Sequence, residues 1–250
     1  MTWSMVWMAV SALICLFAPT AIAIWMIKKR SAKLRAFLLG AAVFAVFQIL
    51  TRLPLLSLLQ GTAWFTLFTM TQPVLYILLL AFTAGLFEEV GRFVGIQFLR
   101  KPDMLSWENA FVFGLGHGGI EAFYLVGINY AVSFVQVLGG QHAAEILGTP
   151  ASYFLVGGVE RILAVMMHIG FTMLVFYAVK QRKPLFLLAA IAAHTLVDAA
   201  APLLRMAGVP LDMWTTEGVY AVLAALLAWV TIRFKPLLKQ EGFNKEGGLG

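Results

Sequence analysis

Long apolar stretches follow one another along this chain, each long enough for a helix to cross the hydrocarbon core of a membrane. About 20 residues are needed, because a helix rises about 1.5 Å per residue. Turn residues or clustered charges separate the stretches. The pattern predicts an all-α polytopic membrane helix bundle with about seven transmembrane helices. The predicted spans cover residues 3–27, 36–59, 73–99, 105–128, 153–179, 185–204 and 217–234, and residues 64–72 are expected to lead into the third span.

The composition agrees with a membrane protein and excludes several other classes. Of the 250 residues, 61% are hydrophobic and 12% are charged, whereas a soluble domain is about 25% charged. A soluble enzyme and a disordered chain are therefore excluded. Cys15 is the only cysteine, so an intrachain disulfide cannot form, and a disulfide-rich secreted protein is excluded as well.

The distribution of Lys and Arg predicts the orientation of the bundle. Of 18 such residues, 14 lie in the proposed inner loops and the C-terminal tail, while the proposed outer loop 129–152 has none. Basic residues favour the cytoplasmic side. The N-terminus is therefore predicted outside and the C-terminus in the cytoplasm, within the cell membrane. Orientation accounts for the net charge of +6, so no nucleic-acid partner is expected.

The domain organisation expected from this pattern is simple. Residues 1–235 are predicted to form a single integral membrane domain. Residues 236–250 are predicted to form a cytoplasmic tail. Because the tail is rich in glycine and polar residues, we expect it to be disordered.

Several ionisable side chains lie inside the predicted spans, where each charge costs on the order of 3 kcal/mol. They cannot face lipid, so they must face one another or a water-filled cavity, which is typical of a functional site. These residues are Glu88, Glu89, Arg92, His117, Glu121, Glu160, Arg161, His168, His194 and Asp198.

Four of these residues are predicted to lie at one depth. Glu88, His117, His168 and His194 are each 11 to 14 residues from a charged residue at the inner edge of their span. That distance is roughly 16–21 Å along a helix, close to the middle of a core about 30 Å thick. Four helices would thus deliver polar groups to one level.

Helical spacing predicts partners for three of these four residues. Pairs spaced i, i+4 share a helix face, and three such pairs occur: Glu88 with Arg92, His117 with Glu121, and His194 with Asp198. Given the predicted helix directions, Glu121, Glu160, Arg161 and Asp198 lie on the outer side of the histidines. We expect them to support the histidines and set their tautomers.

Three motifs resemble those of a superfamily of intramembrane proteases that includes the type II CAAX prenyl endopeptidases and PrsW proteins. They are Glu-Glu-Val-Gly-Arg (88–92), Phe-Gly-Leu-Gly-His (113–117) and His-Thr-Leu-Val-Asp (194–198). Two features differ from the CAAX branch: the first motif is one residue shorter, and Asp198 replaces Asn. The string His-Gly-Gly-Ile-Glu (117–121) and the extra His168 look most like the YhfC branch. The resemblance covers residues 73–204.

The resemblance implies an intramembrane endopeptidase that hydrolyses a peptide bond with a Glu-activated water. Glu88, with Glu89, would be the acid–base pair, and Arg92 would hold both carboxylates. His117 would lie beside the water. His194 and Asp198 would stabilise the oxyanion, for which Asp198 must be protonated, or Asp198 would orient His194. The substrate would be a membrane-embedded or membrane-associated protein or peptide.

A zinc mechanism is the second choice. Three histidines and a carboxylate satisfy a catalytic zinc, and the set would be His117, His168 and His194 with Glu88. Metal-free catalysis is preferred at this point, because the spacing is not His-Glu-x-x-His and every ligand comes from a separate helix.

Two other functions remain as alternatives. Intramembrane Glu, Arg and His also build proton-coupled transporters, although no paired halves are visible in the sequence. A catalytically silent relative that serves as a scaffold is the other alternative. Arg52, which precedes Pro54 in the second span, either points outward to the interface or lines the cavity.

Overall fold

The structure is a computed structural model that describes residues 2–101 and 103–238. Within these residues every regular element is helical. The α-helices are α1 (Trp3–Arg30), α2 (Leu34–Phe44), α3 (Leu53–Gln60), α4 (Ala63–Thr71), α5 (Pro73–Gln97), α6 (Trp107–Ala122), α7 (Ile128–Leu138), α8 (Ala143–Gly148), α9 (Ala151–Gln181), α10 (Leu185–Met206) and α11 (Met213–Arg233). Two π-helices, Ala45–Arg52 and Phe123–Gly127, join α2 to α3 and α6 to α7.

Seven continuous helices in the described part of the chain are long and apolar enough to cross a membrane, which confirms the predicted bundle. They are Trp3–Arg30, Leu34–Gln60, Pro73–Gln97, Trp107–Leu138, Ala151–Gln181, Leu185–Met206 and Met213–Arg233. The orientation of the termini stays a prediction. So does the disordered tail, of which residues 239–250 lie outside the described residues.

Two boundaries differ from the sequence-based expectation. The segment before the third span is a separate helix, α4, and does not run into α5. Pro73 begins α5 after Gln72, whose backbone leaves the helical region. The fourth span is longer than expected, since α7 continues as far as Leu138. The segment 129–138 was expected in a loop, but its apolar residues extend the helix until Gly139-Gly140 ends it.

The first π-helix has a local cause in the sequence. Pro54 lacks a backbone N–H, and its ring collides with the carbonyl one turn earlier. The chain accommodates this by widening the preceding turns, and the N–H of Leu53 bonds to the carbonyl of Gln48 five residues before it. The helix continues without a break from Leu34 to Gln60, and the widened segment carries Gln48 and Arg52.

Glycines allow α6 to pack at the centre of the bundle. A Cβ on Gly116 would lie 2.1 Å from the carbonyl oxygen of Phe37, and a Cβ on Gly40 would lie 2.0 Å from that of Phe113. The backbones of α2 and α6 therefore touch directly, as small residues permit in membrane helices. α6 thus packs against α2, and it also packs against α9, with His117 fully buried.

Candidate functional site

Glu88 on α5 is the centre of the polar cluster. Its Oε2 atom lies 2.9 Å from Nε2 of His117, 3.7 Å from Nδ1 of His168 and 3.9 Å from Nε2 of His194. The three histidines come from α6, α9 and α10. The structure therefore brings together, around one carboxylate, the four residues whose common depth the sequence predicted.

Arg92 is the buried cation of the cluster. It is 0% exposed, and its guanidinium bonds to Glu89, lies 3.4 Å from Oε2 of Glu88 and lies 2.6 Å from Nδ1 of His168. One positive charge thus faces two buried carboxylates. Buried charges must be paired in this way to be tolerated.

His194 is oriented by the second carboxylate of the motif. Its Nδ1 atom lies 2.6 Å from Oε1 of Glu89. A carboxylate accepts, so Nδ1 carries a proton, and the ring directs its other nitrogen, Nε2, away from Glu89. That Nε2 atom faces Glu88 and lies 3.7 Å from Oδ2 of Asp198.

His168 has partners on both ring nitrogens. Because the guanidinium of Arg92 can only donate, Nδ1 of His168 accepts and Nε2 carries the proton. Nε2 then donates to Glu121, which also pairs with Arg161. Arg161 pairs in turn with Glu160. Glu121 therefore contacts a histidine directly, Arg161 pairs with Glu121, and Glu160 pairs with Arg161.

Among the described residues, two cavities reach the cluster. A cleft of about 410 Å³ is lined by apolar residues such as Leu80 and by Glu88, Glu121 and Asp198. A smaller cavity of about 120 Å³ adjoins it, since both are lined by Glu88, Glu121, Asp198 and Tyr220. The carboxylate at the centre of the site is thus accessible from a mostly apolar cleft.

Gln48 is a contact of Glu88 that the sequence analysis missed. It lies on the first π-helix, is 4% exposed and donates its amide N–H to Oε1 of Glu88. Arg52, on the same π-helix, donates to the Gln48 amide oxygen at 3.1 Å. A signal was present, since Gln48 is an isolated polar residue in an apolar span, four residues before an arginine. Arg52 lines the cleft, which decides between the two positions considered for it.

Comparison with known proteins identifies the family. A sequence model described as "YhfC intramembrane metalloprotease" matches residues 11–220. A protein of Bacillus subtilis (strain 168) described as "Uncharacterized membrane protein YhfC" is 33% identical over 252 residues, which cover 93% of this chain and 96% of that protein. The chain belongs to the YhfC intramembrane metalloprotease family. The resemblance to the YhfC branch is confirmed, and no solved structure matches the chain.

The YhfC family description raises the question of whether the residues present fit a metal. Glu88, His117 and His168 each offer a ligand atom, and these atoms lie within 4.8 Å of one another. Two imidazoles and a carboxylate are a known ligand set of catalytic zinc. Nδ1 of His117 has no hydrogen-bond partner among the described residues, so its proton can move there and free Nε2 as a ligand. The donor set therefore fits.

Two features of the histidines decide which ring nitrogens would bind a cation. Nδ1 of His168 accepts from Arg92, so a cation at this position would displace the guanidinium. Nε2 of His194 lies outside the group formed by Glu88, His117 and His168, although it too faces Glu88. In this YhfC-family chain the structure thus groups two of the three predicted histidine ligands with Glu88.

Proposed function

We propose that this chain is an intramembrane endopeptidase of the cell membrane that hydrolyses a peptide bond at the Glu88 cluster. The observation that carries the proposal is the convergence of His117, His168 and His194 on one buried carboxylate at the end of a cleft. The substrate is a membrane-embedded or membrane-associated protein or peptide. The apolar lining of the cleft suits such a segment, and the YhfC family description supports a protease over a transporter.

Glu88, His117 and His168 would hold a divalent cation, with zinc the candidate. When bound at such a site, zinc activates a water molecule and polarises the substrate carbonyl. His194 presents Nε2 beside Glu88. Asp198 lines the cleft, where its carboxyl group can orient His194 or, when protonated, donate to an oxyanion.

The remaining residues hold this arrangement in place. Arg92 and Glu89 neutralise and orient their neighbours. Glu121 sets the tautomer of His168 and is itself held by Arg161. Glu160 acts further out, on Arg161 alone.

The metal-free route assigns Glu88 as the base that activates water directly. Its support is the set of contacts that Gln48, His117 and Arg92 make with the carboxylate of Glu88. The ligand chemistry and the YhfC family description favour the metal-dependent route, which the sequence analysis ranked second.

Cleavage by the reconstituted protein tests the function. Glu88→Gln and His117→Ala are compared with wild type on candidate membrane-protein and peptide substrates, and each is expected to lose at least about a hundredfold in rate. Glu217→Gln is the matched control, because Glu217 is a buried carboxylate on α11. Undiminished cleavage by Glu88→Gln would overturn the proposal. Proton-coupled uptake that both site variants lose, without cleavage by wild type, would favour the transporter.

Metal analysis separates the two routes. The metal-dependent route predicts about one zinc per chain, loss of cleavage with a chelator, and weaker zinc binding by His117→Ala and His168→Ala. Full activity in protein shown to be free of metal would establish the metal-free route instead.

A further inference from the structure

Gln48 and Arg52 form a hydrogen-bonded chain that ends on Glu88. The guanidinium of Arg52 donates through Nη1 to Oε1 of Gln48 at 3.1 Å, and Nε2 of Gln48 donates to Oε1 of Glu88. Neither residue belongs to the three motifs. These hydrogen bonds reach Glu88 from the first π-helix, which precedes α5 in the sequence. The histidine-bearing helices all follow α5.

Chemistry allows only one orientation of the Gln48 amide. Arginine has donors and no acceptor, and an ionised carboxylate has acceptors and no donor. The amide oxygen must therefore face Arg52 and the amide nitrogen must face Glu88. Arg52 thereby determines which end of the amide is presented to Glu88.

Arg52 is itself held against α5. Its Nε atom donates to Oγ1 of Thr83 at 3.1 Å, and Nη2 donates to the carbonyl oxygen of Leu80 at 2.6 Å. Both acceptors lie on the helix that carries Glu88. The first π-helix is therefore attached to α5 at positions five and eight residues before Glu88, and π-helical segments of this kind occur frequently at functional sites.

The two oxygens of Glu88 consequently have different surroundings. Oε1 accepts from Gln48, whereas His117, Arg92 and the other two histidines are all close to Oε2. A carboxylate held at one oxygen cannot rotate freely about its last bond. Oε2 is then kept in place for the histidines or for a cation.

We propose that Gln48 is a positioning residue for Glu88 and that Arg52 acts on Glu88 through Gln48. The inference rests on the proposed function of Glu88. Removing partners of this kind lowers activity or metal affinity by about 10–100-fold. We expect the effect on the rate of the chemical step, with substrate binding unchanged.

The test uses full-length Gln48→Met, Arg52→Met and the double variant. Thr51→Val is the matched control, because Thr51 lies on the same π-helix, is exposed, and donates its hydroxyl to the carbonyl of Val46 within that segment. For Gln48→Met we expect kcat to fall about 10–100-fold with KM within about twofold, and the Kd for added Zn²⁺ to rise by a similar factor. Thr51→Val should match wild type in kcat, in KM and in the Kd for Zn²⁺.

The double variant tests whether Arg52 acts through Gln48. Residues that act in series are not additive, so the double variant should be within about threefold of Gln48→Met. Multiplied losses would overturn the serial arrangement. A raised KM with unchanged kcat would make Gln48 a substrate-binding residue and overturn its positioning role.

Glu88→Gln, measured in parallel, separates this inference from the proposed function. Unchanged cleavage by Glu88→Gln contradicts the function itself. If Glu88→Gln is inactive while Gln48→Met keeps both wild-type kcat and wild-type Zn²⁺ affinity, only the inference fails. The Zn²⁺ titration gives a readout that does not depend on cleavage.

Discussion

His194 and Glu89 are 105 residues apart in sequence, yet Nδ1 of the histidine lies 2.6 Å from Oε1 of the glutamate. The hydrogen bond leaves Nε2 directed at Glu88 and Asp198. A carboxylate behind a histidine both orients the ring and increases the basicity of the other nitrogen. The second glutamate of the motif therefore acts on α10, while the first faces the histidines directly.

Glu89→Gln is expected to reduce cleavage about 10–100-fold while the protein stays folded. The amide keeps the shape of the side chain but removes the charge that holds the Nδ1 tautomer of His194. Kinetics and ¹⁵N spectra of the histidine rings check the two consequences. Glu217→Gln again serves as control, and a Glu89→Gln protein with wild-type kcat and an unchanged His194 tautomer would contradict the role.

Arg92→Met is expected to destabilise the fold by about 3–5 kcal/mol, because two buried carboxylates lose their shared cation. Arg92→Lys should recover part of that loss, since it restores the charge without the planar fork. Unfolding in mild detergent measures both. Arg100→Met, at an exposed position, should change stability by less than about 0.5 kcal/mol. Equal stability of Arg92→Met and Arg100→Met would show that the buried pairing is not needed.

Gly116→Ala is expected to destabilise the bundle by about 1–3 kcal/mol through overpacking. The added Cβ would lie 2.1 Å from a backbone oxygen of α2, and a backbone atom cannot move aside as a side chain can. Gly218→Ala is the control, because a Cβ there meets open space, and alanine favours a helix by about 1 kcal/mol over glycine. The thermal midpoint of Gly116→Ala should therefore fall below that of wild type, whereas the midpoint of Gly218→Ala should rise or stay the same.

Asp212 provides a pH-dependent contribution at the start of α11. The backbone N–H and the hydroxyl of Thr215 donate to its carboxylate, and these bonds lower the pKa of Asp212 below the ordinary value of 3.8. Because the pKa is lower in the folded state than in the unfolded state, the ionised carboxylate stabilises the protein at pH values above the ordinary pKa. The contribution disappears as the pH falls through the lowered value.

Comparison of Asp212→Ala with wild type measures this contribution. The stability difference should be constant near neutral pH and should shrink as the pH falls below the ordinary pKa of 3.8. Asp212→Asn, which can still cap the helix, should show no such pH dependence relative to Asp212→Ala. A difference between wild type and Asp212→Ala that does not vary with pH would contradict the assignment.

Much of the site was predictable because a membrane penalises charge so strongly. Glu88, His117, His168 and His194 stood out as polar residues at one depth. The structure brings a ring nitrogen of each histidine within 4 Å of Oε2 of Glu88. Gln48 was not predicted, since an uncharged amide carries a smaller penalty and lies outside the recognised motifs. The pairing of Glu121 with His168, and not with His117 on its own helix, also depends on how α6 packs against α9.

The sequence by itself determined that the chain forms seven apolar helices, because length and hydropathy alone decide whether a helix can span a bilayer. It also determined which ionisable residues share a depth, because helical rise is constant. Only the tertiary structure decided which nitrogen of each histidine faces Glu88, that Arg52 reaches the site through Gln48, and where the cleft opens. These depend on the rotation and close approach of helices, which backbone contacts such as that at Gly116 set and periodicity does not encode.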